Sequence, residues 1–104
     1  MALTREFKEL VKARAERDPK FRTALLKEAV ETMLSGDLVT GKAVLRDYIN
    51  ATIGFERLGK VTGTAPKSLM QMFRPTGNPR SENLFGVLNL LQKEARLKLH
   101  VTAK

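Results

Sequence analysis

The stretch that most constrains this chain is residues 55–73, FERLGKVTGTAPKSLMQMF. Its apolar residues recur at helical spacing on both sides of Gly63-Thr64-Ala65, with Leu58 and Val61 before and Leu69, Met72 and Phe73 after. Pro66 opens the second helix, where its missing N–H costs nothing. Gly59 and Gly63 lie four positions apart. Gly63 suits a corner at positive φ, and Gly59 suits a place where two helices must approach closely. The spacing predicts two short helices joined by a tight turn, a helix-turn-helix. An αα-hairpin inside any helical bundle would carry the same short pattern.

Charge favours the first alternative. Of 104 residues, 19 are Lys or Arg and 11 are Asp or Glu, a net charge of +8. Residues 1–45 hold 9 basic and 7 acidic side chains, net +2, whereas residues 46–104 hold 10 and 4, net +6. The excess lies in the half that contains the turn, as capture of phosphates would need. The length suits one domain with a modest core. With no cysteine and one histidine there is no disulfide, thiolate site or recognisable metal site, and no cofactor is implied. MALTREFKEL is charged from its fifth residue, and no apolar run reaches membrane-spanning length, so the chain is read as cytoplasmic.

The remaining segments read as helices with identifiable ends. Residues 3–17 carry Leu3, Phe7, Leu10, Val11 and Ala15 as a stripe opposite a charged face. Asp18 caps and Pro19 begins a second helix that runs to about Ser35. Its stripe (Phe21, Leu25, Leu26, Ala29, Val30, Met33, Leu34) is wide enough to pack on two sides, and Gly36 ends it. Asp37 caps a third helix, with Leu38, Val44, Leu45, Tyr48, Ile49 and Ile53 apolar and Gly54 after it. RPTGNPR forbids a continuing helix past Phe73. Ser81 and Glu82 begin the last helix, which carries Leu84, Phe85, Val87, Leu88, Leu90 and Leu91. LKLHV alternates as a strand does, and a lone strand must pair with another chain or lie against the body. The expected fold is all-α: a bundle of five to six helices with one short C-terminal β-strand. Residues 1–36 form an N-terminal helical pair, and residues 37–104 form the helix-turn-helix unit.

If the second helix of the motif enters a major groove, Lys67, Ser68, Met70, Gln71 and Arg74 point away from Leu69 and Phe73 and can meet it. Gln71 can pair bidentately with adenine, Lys67 or Arg74 can reach guanine or phosphate, and Ser68 can serve either. Met70 can touch a thymine methyl or pack against its own flank. Thr64 can cap the helix or bond a phosphate, while Arg57, Lys60 and Arg80 would position the protein without reading sequence. For any one of these charges a solvated face explains it as well; the cluster carries the weight. His100 stands alone on a polar face, and Glu28 and Glu31 sit among basic residues. No catalytic constellation emerges, so an enzyme is not expected.

The run LRDYINATIGFERLGKVTGTAPKSLMQMFRPTGNP, followed by an apolar helix and LKLHV, resembles the HigA-like antitoxins. These are also called addiction-module antidote proteins and belong to the lambda-repressor-like (Xre/Cro) helix-turn-helix regulators. The resemblance rests on Gly63, on Ser68-Leu69 and on the Gly77-Asn78-Pro79 turn, and it spans residues 45–101. The opening MALTREFKELVKARAERDP resembles a subgroup described as transcriptional regulators. Two positions depart from the pattern. Gly59 stands where such motifs usually carry alanine, which loosens its helix by up to ~1 kcal/mol. Ala65-Pro66 replaces the usual serine, leaving the cap to Thr64 or to the backbone.

The resemblance implies a homodimer on a palindromic operator in its own promoter, which also neutralises a small ribonuclease toxin of the RelE/HigB type. Dimerisation follows as well from the few base pairs one short helix can read, since two half-sites ~34 Å apart supply the rest. The last helix, through Leu88 and Leu91, and the strand, through Leu97, Leu99 and Val101, are the expected dimer surface. The first two helices would hold the toxin or simply extend the core. The competing expectations are a protein-interaction module that uses the motif only as a fold element, and a stand-alone phage-type regulator with no toxin.

Overall fold

A computed structural model describes residues 5–103 and is all-helical over them. Its six helices are α1 (Arg5–Arg17), α2 (Pro19–Leu34), α3 (Leu38–Ala51), α4 (Phe55–Thr62), α5 (Pro66–Met72) and α6 (Ser81–Ala95). Leu3, expected in the first stripe, lies outside the described residues. No helix among them is long and apolar enough to cross a membrane.

The helix ends follow from local chemistry. The Asp18 carboxylate accepts from the N–H groups of Lys20 and Phe21 at 3.1 and 3.2 Å, with Pro19 in the first turn of α2. The Arg22 guanidinium donates to the Ala15 carbonyl at the end of α1, and Arg14 lies 4.7 Å from the centre of the Phe21 ring. Asp37 accepts from the Thr40 N–H at 3.1 Å and starts α3. The Thr40 side chain first, and this N–H second, hydrogen-bond the charged form and hold the Asp37 carboxyl below its ordinary value.

α2 and α3 pack closely because Gly41 has no Cβ; one there would run into the Met33 side chain. Leu26 and Ala29 of α2 join Leu45, Tyr48, Ile49, Phe55, Leu58, Leu69, Phe73, Val87, Leu88 and Leu91 in one buried cluster. The core therefore runs across residue 36. α1 contributes less. Ala15 is buried and Val11 half-buried, but Leu10 is 68% exposed and Phe7 is exposed too.

Two expectations need correction here. Val61 does not share the buried face of Leu58; it is 48% exposed. The buried arc of α4 is set by Phe55, Leu58 and Gly59, and at roughly 100° per residue Val61 falls outside it, about 60° beyond Leu58. The C-terminal segment forms no strand among the described residues. Leu97 and Leu99 pack against the core, and the Leu99 N–H donates to the Gln92 side-chain oxygen at 2.8 Å. The alternation is thus the in-and-out pattern of a chain lying on a bundle, with no second strand beside it to complete a ladder.

One buried charge fixes the seat of α5. Lys42 of α3 is 1% exposed, and its ammonium donates to the carbonyls of Arg74 at 2.9 Å and Gly77 at 2.6 Å. It caps the segment that leaves α5, where a cation is favoured. Replacing it by methionine keeps the stem but strips two carbonyls of their donor. Lys42→Met is expected to cost about 2–4 kcal/mol in urea denaturation, and wild-type stability would contradict the clamp.

Asp47 lies in the cleft between α1 and α3, and burial pushes its carboxyl above the ordinary carboxylate value despite Lys8 and Arg46 nearby. The fold thus favours the protonated form. The associated stability is complete below the unfolded value and is lost as pH rises through the raised folded value. Asp47→Asn should therefore melt higher than wild type at neutral pH, with the gap closing below pH about 4, as followed by circular dichroism.

Candidate nucleic-acid interface

The corner between α4 and α5 is built from Gly59, Gly63 and Pro66. Gly63 adopts φ +72°, ψ 22°, a left-handed conformation that ends α4 without strain in glycine. The chain then folds back so that the Thr64 N–H donates to the Gly59 carbonyl at 3.0 Å. A Cβ on Gly59 would sit 2.6 Å from the Thr64 oxygen and 3.2 Å from Pro66 Cγ. The close approach expected of Gly59 is therefore made to the turn itself.

Leu69 and Phe73 anchor α5 in the core, and the Phe73 ring lies 6.1 Å from that of Phe55, tilted by 52°. This joins the end of α5 to the start of α4. The anchored face leaves Lys67, Ser68, Met70, Gln71 and Arg74 exposed, as the spacing predicts. Ser68, Gln71 and Arg74 border a shallow polar cleft whose other side is Thr76 and Asn78 from the loop after α5. The sequence reading took this loop only as a helix stop. Its position beside α5 depends on the Lys42 clamp, which no periodicity announces.

Other expected residues fall elsewhere. Thr64 is half-buried, its N–H is already bonded to Gly59, and α5 has no side-chain cap at all. The backbone share of its expected phosphate contact is therefore taken up inside the fold. Lys60 and Arg80 are exposed. Arg57 is also exposed but turns toward α6, 3.6 Å from Glu94, and borders a cavity that contains no α5 residue. It is thus separated from the α5 face.

The residues expected at a dimer surface divide. Leu88 and Leu91 are buried within this chain's own core, in the cluster that also holds residues of α2, α3, α4 and α5. Leu97 and Leu99 are half-buried. Val101, at 85%, is exposed, and so is Phe85 of α6, at 64%. Phe85 was legible only as one of six apolar positions, more than one face of a helix can bury. His100 is exposed, and no three His, Asp or Glu side chains among the described residues come together as a metal site.

The corner makes a specific prediction. Alanine at position 59 gains up to ~1 kcal/mol of helix propensity but forces apart two backbone segments. Gly59→Ala is expected to lower stability by about 1–2 kcal/mol in urea denaturation, and a more stable variant would show that the contact is not tight. No protein-family model, curated protein or solved structure matches this chain.

Proposed function

We propose that the chain is a sequence-specific DNA-binding repressor of the antitoxin type, with α4 and α5 as its helix-turn-helix and α5 as the recognition helix. The observation that carries this is the exposed face of α5. Lys67, Ser68, Gln71 and Arg74 all lie outward on a helix held from behind by Leu69 and Phe73. The weight lies in the grouping: two cations and two hydrogen-bonding side chains share one short exposed face directly after a tight turn. Gln71 offers a donor and an acceptor to an adenine edge, and Lys67 or Arg74 offers donors to guanine or phosphate. Lys60 and Arg80 act as positioning contacts, and the net charge of +8 supplies general attraction to the backbone. Arg57, held toward α6 by Glu94 and away from the α5 face, is left out of this set.

In this proposal the protein works as a homodimer on a palindromic operator, because a seven-residue helix reads too few base pairs alone. Residues 97–101 and the exposed Phe85 supply the contact between copies, with Leu88 and Leu91 supporting it from inside. Pairing of the two C-terminal segments would give their backbone the ladder that one chain lacks. The second partner is a small toxin of the RelE/HigB-like ribonuclease type. The exposed apolar side of α1 is the part of the N-terminal pair left for it, since α2 is already packed into the core.

The test is fluorescence anisotropy with a labelled duplex from upstream of the coding sequence, beside a scrambled duplex, at two salt concentrations. Wild type should prefer the upstream duplex, and Gln71→Ala should weaken that binding roughly 5- to 100-fold. Equal binding to both duplexes, abolished by salt and indifferent to Gln71, would leave only generic phosphate attraction. A protein-interaction module would then replace the repressor.

A further inference from the structure

A second cavity lies where α2, α3, α4 and α6 meet, and no residue of α5 lines it. It is a depression open to solvent on one side, of about 370 Å³, within the range that holds small molecules. Three arginines line it from separate elements: Arg22 from α2, Arg57 from α4 and Arg96 from the end of α6. One carboxylate, Glu94, stands against them. Tyr48 and Thr52 add hydroxyl-bearing side chains, and Leu91 gives an apolar floor.

The commitments of the three arginines differ. Arg22 caps α1 through one nitrogen, Nη1, and keeps its other donors. Arg57 meets Glu94 at 3.6 Å, long for a charge-assisted hydrogen bond. The Arg96 side chain makes no hydrogen bond or ion pair among the described residues. Its backbone is the unusual one. Arg96 sits at φ +56°, ψ 42°, the one non-glycine residue at positive φ among those described. Helices that end this way ordinarily use glycine. An arginine there tolerates backbone strain at the border of the cavity.

We propose that this cavity binds a small phosphate-bearing anion, of the phosphomonoester or pyrophosphate class, clasped by Arg22, Arg57 and Arg96. Charge and shape both select this class. Glu94 balances one of three positive charges, and a dianion balances the other two. A carboxylate is satisfied by a single guanidinium fork, whereas a phosphate offers three or more oxygens to donors arriving from different directions. The site does not depend on the α5 face and stands or falls separately from the DNA-binding proposal.

The chain has one tyrosine and no tryptophan, so intrinsic fluorescence reports on Tyr48 at the cavity wall. The purified full chain would be titrated with inorganic pyrophosphate, followed by this signal and by calorimetry, and compared with Arg96→Gly and Lys67→Ala. Wild type should show saturable one-site binding. Arg96→Gly should bind roughly tenfold more weakly or worse while melting at the same or a higher temperature, since glycine suits the left-handed cap. Lys67→Ala should bind as wild type does. Three results would overturn the site: no saturable binding, undiminished binding by Arg96→Gly, or an equal loss in Lys67→Ala. So would weakened duplex DNA binding by Arg96→Gly in a protein that ignores pyrophosphate, which would assign the arginines to the nucleic-acid backbone.

Discussion

The ammonium of Lys42 holds two carbonyls, from Arg74 and Gly77, in the middle of the fold. A charge this deeply buried is stable only while its hydrogen bonds last, so α3 and the segment after α5 move together or not at all. The other ties on α5 depend on that placement. Phe73 must reach Phe55, Leu69 must reach the core, and the turn at Thr64 must close on Gly59. These contacts enter α5 from its start, its inner face and its exit. What they leave outward is a short polar face that has little freedom to reorient.

Much of this was legible because the signals are local. Asp18-Pro19 and Asp37 act on N–H groups within three residues, and both caps form. Gly63 takes the positive φ that the turn requires, and Leu69 and Phe73 bury the inner face of α5. What escaped was set by neighbours distant in sequence. Lys42 reads as one more basic residue until a carbonyl 32 positions away is brought beside it. Val61 has the right spacing but belongs to an eight-residue helix whose buried arc is centred elsewhere. The alternation of residues 97–101 gave the correct inward side chains and the wrong backbone partner, since alternation records which side is covered and not what lies alongside. Of the proposed site, the α5 face could be read from periodicity, whereas the flanking Thr76 and Asn78 could not.

The surplus of basic side chains in the second half of the chain is divided by the fold. Lys67 and Arg74 lie on the α5 side, while Arg57 and Arg96 border the cavity that α6 closes. Net charge measures attraction to anions in general; placement decides which anion meets which face. In the account proposed here, the α5 side meets a duplex and the arginine cavity a small anion.

The most direct measurement is a chemical-shift map of the isotope-labelled protein titrated with the upstream duplex. The account predicts that the perturbed amides concentrate in residues 64–80 and at Lys60, with α1 and the surroundings of Arg22 and Arg96 little changed. A footprint centred on the arginine cavity or on α1, with α5 silent, would contradict it.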